Sequence, residues 1–227
     1  MVESRIALIH ATPIAIEPVT KAFNTHWSEA TVTSLLDDSL SLDLERAGKL
    51  DESIIQRFVE LGDYVVRSGA DAILFTCSAF GPAIDCVKQA HQSRPVLKPN
   101  EAMFEEALEK GDKIGMLATF QPSIAPMEEE FYEMAESTGR KARIETIWVK
   151  GAMDALLAGN IDRHNDLIAD VCDKLDHCDA VMLAHFSTAK AKQGVMQRLN
   201  KSILTSPESA VNKLKSTIHA SSNQNTE

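Results

Sequence analysis

Two apolar segments recur at one fixed distance along the chain, and that recurrence narrows the folds open to it. RIALIH at 5–10 is matched by KIGMLA at 113–118, and DAILFTC at 71–77 by DAVMLAH at 179–185, both at an offset of 108 residues. A proline follows each member of the first pair within a few residues. Two matches at one offset point to two structurally equivalent halves. The identities are few, so chance likeness between buried strands is the alternative. Short runs rich in Ile, Leu and Val that alternate with longer helical patterns are the mark of βαβ units and a parallel sheet.

The pattern predicts strands over Arg5–His10, Thr31–Leu36, Ala72–Thr76, Val96–Leu97, Lys113–Ala118, Ile144–Val149 and Ala180–Ala184. Helical periodicity is clearest over Glu52–Ser68, which Gly69 stops, and over Asp162–Leu175. Thr205-Ser206-Pro207-Glu208 reads as a helix start with capping-box spacing. The expected class is α/β, with two pseudo-symmetric halves, each a mostly parallel sheet flanked by helices, and the site in the cleft between them. Residues 1–98 with about 205–218 form the expected first lobe, 99–204 the second, and the polar end 219–227 a flexible tail. The acidic runs MEEEFYEMAE and NEAMFEEALEKGD are expected to be solvated helix faces.

Composition excludes several classes. A net charge of -10 argues against nucleic acid, whose phosphates need a basic face. It does not exclude an anionic small substrate, because backbone amides and hydroxyls bind carboxylate whatever the global charge. With no secretory leader pattern and no apolar run of membrane-helix length, the chain is expected to be cytoplasmic and free of membrane. Cys77, Cys86, Cys172 and Cys178 show neither disulfide nor zinc-finger spacing, and His26, His91, His164, His177 and His219 show no ligand spacing.

Chemistry concentrates where predicted strands end. The offset makes Cys77 and His185 equivalent, each at the C-terminal end of a buried strand, which is where open α/β sheets bind ligands. Pseudo-twofold symmetry predicts that the two face each other across one cleft. A thiol at a strand-to-helix handover is expected to have a lowered pKa, so Cys77 reads as acid/base or nucleophile, with an inert buried thiol as the alternative. Thr76, Ser78 and the backbone N–H of Ala79 are expected to cradle one carboxylate, and Phe186, Ser187 and Thr188 form the matching cradle after His185. His185 reads as the second proton-transfer group or as a satisfied core histidine.

LFTCSAFGP, MLAHFSTA and GMLATFQP, set on the internal repeat, resemble the aspartate/glutamate racemase superfamily over about residues 5–215. That superfamily includes glutamate, aspartate and hydantoin racemases, maleate isomerase and arylmalonate decarboxylase. The resemblance implies a cysteine from each half flanking the substrate α-carbon, no cofactor or metal, and a homodimer or higher homo-oligomer. Cys77 matches the first cysteine, whereas the second position holds His185; a shift of one residue puts Ala184 there instead. A Cys/His pair moves protons equally well in principle. The reading is therefore a racemase or isomerase acting beside a carboxylate of a small acid, with a decarboxylase or lyase using Cys77 alone, or a non-catalytic small-acid binder, as alternatives.

Around that pair, the resemblance implies that the loop of His10 and Thr12 lines the pocket, where His10 tunes the thiol or binds carboxylate; a surface loop histidine is the alternative. Thr119 resembles the family's carboxylate-binding threonine, or else caps the next turn. Phe80, Phe120 and Phe186 either wall the site against water or belong to the core.

Overall fold

The computed structural model describes residues 4–224. The chain divides into two compact units, one running to Pro99 and resuming at Ala210, the other covering Asn100–Ser209. The first contains β1 (Arg5–His10), α1 (Ile16–His26), β2 (Thr31–Leu36), α2 (Ser39–Ala47), α3 (Glu52–Arg67), β3 (Ala72–Phe75), α4 (Gly81–Ala90) and β4 (Val96–Leu97). In the second lie α5 (Glu101–Lys110), β5 (Lys113–Ala118), α6 (Ile124–Ser137), β6 (Arg143–Trp148), α7 (Ala152–Leu157), α8 (Ile161–Val171), β7 (Ala180–Leu183), α9 (Lys192–Met196) and β8 (Ser202–Thr205). The unit boundary falls inside α10 (Ser206–Gln224).

Each unit holds one four-stranded sheet, ordered β2-β1-β3-β4 in the first and β6-β5-β7-β8 in the second, with every pairing parallel. These are the expected two equivalent α/β halves. The central strands β3 and β7 are buried along their whole length because helices cover both faces, which is why they read as unbroken apolar runs. In the first unit, Ile54, Phe58 and Val65 of α3 pack with Ala7 and Ile9 of β1 and with Ile73 and Phe75 of β3. In both sheets the chain leaves the first strand for one neighbour and returns to pair on its other side, creating a topological switch point between β1 and β3 and again between β5 and β7.

The repeated aspartates are structural. Asp71 accepts a 2.8 Å hydrogen bond from the Arg5 amide, and Asp179 accepts from the Lys113 and Asp112 amides, each at 2.9 Å. Each carboxylate thus locks the start of its unit's first strand to the start of the third. Gly111 leaves room for this, since a Cβ there would lie 2.3 Å from Asp179 Oδ2.

Several expectations change. The strands β3 and β7 end one residue early, although Thr76 N still donates to Ile9 O and Ala184 N to Leu117 O. The Asp162–Leu175 pattern is an α-helix only to Val171 and tightens into a 3-10 turn over Cys172–Leu175. Ser202–Thr205 is a strand that the sequence reading omits. At the start of the following helix, the Thr205 hydroxyl donates to the Glu208 carboxylate at 3.5 Å. The run NEAMFEEALEKGD is not a solvated face, for Glu101, Ala102, Met103, Phe104, Ala107 and Leu108 are all buried. The chain remains helical past Ile218 through Gln224, with His219 edge-on to Trp27 at 5.8 Å; the remainder of the expected tail, 225–227, lies outside the described residues. No described helix is long and apolar enough to cross a membrane.

Candidate active site

At the first switch point, β1 ends in His10 and β3 hands over to Thr76-Cys77. His10 is fully buried; its Nδ1 lies 2.8 Å from Thr76 Oγ1 and its Nε2 3.2 Å from Ser34 Oγ on β2. Burial pushes its pKa down from 6.5 to about 4, so the ring is neutral at pH 7. His10 is therefore no surface loop residue, and with both nitrogens engaged it offers no cation for a carboxylate.

Cys77 opens a three-residue 3-10 turn, Ser78–Phe80, and α4 begins only at Gly81. Phe80 anchors the turn: fully buried, it lies 4.7 Å from the Phe58 ring, which stacks 5.4 Å from Phe75. The half-buried Cys77 packs against this apolar cluster together with Ala79. Burial pushes the thiol pKa up from 9.0, and the Ala79 backbone N–H pulls only partly the other way. The expected lowering is thus reversed. A single amide on a short turn replaces the aligned dipoles of a helix end, and desolvation of the anion wins.

The second switch point has the same parts in exchanged positions. Here Thr119 follows β5, and the histidine follows β7. His185 Nδ1 lies 3.5 Å from Thr119 Oγ1, and its Nε2 lies 2.7 Å from Ser123 Oγ. The Ser123 hydroxyl donates to the Phe120 carbonyl at 2.9 Å, so its oxygen is available to the imidazole. Burial pushes the His185 pKa from 6.5 down to about 4, against an opposing pull from the Ala184 carbonyl. Its backbone sits at φ 72°, ψ 145°, and it is the one non-glycine residue with positive φ among those described. Such a conformation costs on the order of 1–3 kcal/mol and persists only where neighbours hold it. Thr188, fully buried, does so: its hydroxyl donates to the Ala184 carbonyl and, at 2.7 Å, to the His185 carbonyl.

Two buried polar groups of the second unit have no hydrogen-bond partner among the described residues, Ser187 Oγ, two residues after His185, and Asn100 Nδ2 at the start of α5. The Asn100 Oδ1 accepts from Ser206 at 2.7 Å, so its amide nitrogen alone is left over. Phe120 is exposed, whereas Phe186 is buried at the start of the turn. Thr12 is partly buried in the loop after β1 and makes no side-chain cap. Ser34, Ser123 and Asn100 were not identified from the sequence; their partners lie 24, 62 and 106 residues away, and only the fold brings them together.

Two parallel sheets of one strand order, each with polar side chains gathered at its switch point, make a duplicated α/β fold. The sequence profile described as Asp/Glu/Hydantoin racemase matches residues 21–214, and the chain belongs to that family of enzymes. Among solved structures it is similar to a glutamate racemase from Francisella tularensis in complex with D-glutamate, with 13% identity, TM-score 0.69, and coverage of 98% of this chain and 83% of that one. An aspartate racemase homologue from Pyrococcus horikoshii shows 18% identity, TM-score 0.73, and coverage of 94% and 98%. For allantoin racemase from Klebsiella pneumoniae the values are 13%, 0.70, 96% and 89%. At such identities the likeness is one of fold. No curated protein matches the sequence significantly.

Proposed function

We propose that the chain is a cofactor-independent racemase or isomerase acting at the carbon beside a carboxylate of a small acid, with His185 as base and Cys77 as acid. The observation that carries this reading is the equivalence of the two residues: each follows the third strand of its unit, at the switch point of a sheet with the same order. Their ionisation supports the division of labour. A histidine pushed down to about 4 is a neutral base at pH 7, and a thiol pushed above 9.0 keeps its proton to give.

In the forward step, the neutral His185 imidazole takes the α-proton. The C–H pair flows into the carboxylate as an enediolate, and the Cys77 S–H proton is delivered to the opposite face of the carbon. Hydroxyl and amide donors stabilise the enediolate. Ser187 and Asn100 suit this task, because a buried donor without a partner costs about 1–3 kcal/mol until something binds it. Thr76, Ser78, Ala79, Thr119 and Thr188 shape the surrounding backbone, while His10 and Thr12 border it. The chain's four cysteines are free, which suits a reducing compartment such as the cytoplasm. The homo-oligomer implied by the family is a matter for sedimentation.

A second reading draws on the raised Cys77 pKa: a thiol that stays protonated is the single acid a decarboxylase or lyase needs after its leaving group departs. The test is α-proton exchange in heavy water, followed by NMR over amino acids, hydroxy acids and substituted malonates, with Cys77→Ala and His185→Ala alongside wild type. Exchange lost in both variants supports the two-residue reading. Release of carbon dioxide that survives His185→Ala supports the single-acid one. Tight binding of an acid without turnover refutes both and makes the chain a small-acid sensor.

A further inference from the structure

Away from the strand C-termini, the second unit gathers a thiol, an imidazole and a carboxylate. Glu145 lies on β6 in register with Gly115 of the neighbouring β5. Leu175 occupies the space above Gly115, where a Cβ would lie 2.9 Å from its Cδ1. The loop after Leu175 therefore lies down on β5, carrying His177 and Cys178 across it toward β6. His177 Nε2 is 2.9 Å from Glu145 Oε2, and Cys178 Sγ is 3.8 Å from His177 Nε2. All three donor atoms fall within 4.8 Å of one another. The Lys201 ammonium fastens the loop by donating to the carbonyls of Asp176 and Cys178.

We propose that Glu145, His177 and Cys178 bind one divalent metal ion of borderline softness, Zn²⁺ foremost. The donor set is the argument. Thiolate with imidazole and one carboxylate suits zinc and its neighbours in the first transition row, and a soft sulfur ligand disfavours magnesium and calcium. A tetrahedral zinc with ordinary bond lengths spaces N, O and S donors about 3.4–3.6 Å apart. The observed 2.9 and 3.8 Å bracket that range, and the third pair lies within 4.8 Å, so the donors converge by small side-chain shifts. Three protein ligands leave one position for water. Cys178 immediately precedes Asp179 and β7, at the far end of that strand from His185, so the ion ties β6 to the entrance of β7 and is independent of the acid–base pair.

Cobalt(II) titration of the metal-free full chain tests this, because a thiolate ligand gives cobalt an intense near-ultraviolet charge-transfer band. The expected result is one equivalent bound, with a band that Zn²⁺ bleaches, that Cys178→Ser removes, and that Cys77→Ser and Cys172→Ser leave intact. His177→Ala and Glu145→Gln, which alter exposed side chains, are expected to weaken cobalt binding at least about tenfold. They also decide the matter if Cys178→Ser fails to fold. No charge-transfer band in the wild type, a band that survives Cys178→Ser, or unchanged affinity in both exposed variants overturns the site.

Discussion

Replacing His10 with Gln should remove a defined part of the chain's acid sensitivity. His10 is fully buried, and its pKa falls from 6.5 to about 4 on folding. Between those values the unfolded chain holds a proton that the folded chain refuses, so stability rises with pH across that window and is lost as acid is added. At about 1.4 kcal/mol per pKa unit, the gap amounts to about 3 kcal/mol in full, of which about 2 kcal/mol is lost between pH 7 and pH 5. The assay is urea unfolding at the two pH values, read by tryptophan fluorescence. Trp27 is buried in the first unit and Trp148 belongs to the second, so a Trp148→Phe background leaves a probe close to the fold that His10 supports. The variant starts less stable, having lost ring contacts to Thr76 and Ser34, but its drop from pH 7 to pH 5 should be smaller than wild type's by about 2 kcal/mol. Equal drops would refute the claim that a neutral buried imidazole bridges β1, β2 and β3.

Two further outcomes follow from the same geometry. Cys77 should alkylate more slowly than a free thiol at pH 7, with a rate that keeps climbing above the ordinary thiol range, as its raised pKa requires; mass spectrometry of iodoacetamide-treated protein across pH 7–10 measures this, and faster labelling at pH 7 contradicts it. Thr188→Val should cost about 1–3 kcal/mol, seen as a melting-temperature drop of about 2–4 °C per kcal/mol, because the buried Ala184 carbonyl loses its hydroxyl donor and the His185 carbonyl keeps only the Thr188 amide; α-proton exchange should fall with it as the His185 backbone relaxes from positive φ.

The parallel α/β frame was legible because burial on both faces writes β1, β3, β5 and β7 as plain apolar runs, and because Asp71 and Asp179 repeat a structural bond. The strand β8 was not, since four residues beside a helix start resemble the approach to a cap. In α5, glutamates disguised a buried helix whose Glu106 accepts a hydrogen bond from Ser209, far along the chain. The sequence located Cys77 and His185 at strand ends but misjudged the thiol, whose pKa depends on whether a turn or a helix follows and on how much apolar surface surrounds it. Positive φ at a histidine has no sequence signal at all, and Ser123 acquires meaning only once β5 and β7 are paired.

The deeper symmetry lies in the switch points. In the first unit an imidazole ends the first strand and meets a threonine after the third, His10 to Thr76 at 2.8 Å; in the second the threonine follows the first strand and the imidazole follows the third, Thr119 to His185 at 3.5 Å. Both pairs are 66 residues apart, but at the 108-residue offset His10 and Thr76 match Ala118 and Ala184, so the second bridge sits one residue further along each strand end. That one-residue step puts the second unit's imidazole at the position that Cys77 holds in the first. On the proposed function, the resting site then holds a neutral base and a neutral acid, and one racemisation leaves thiolate and imidazolium, two charges that both environments disfavour. Forming that charged pair is uphill in each turnover of a racemase, and proton return between the two groups is downhill. A decarboxylation spends only the thiol proton, so the ratio of α-proton exchange to carbon dioxide release reads out which reaction this asymmetric pair serves.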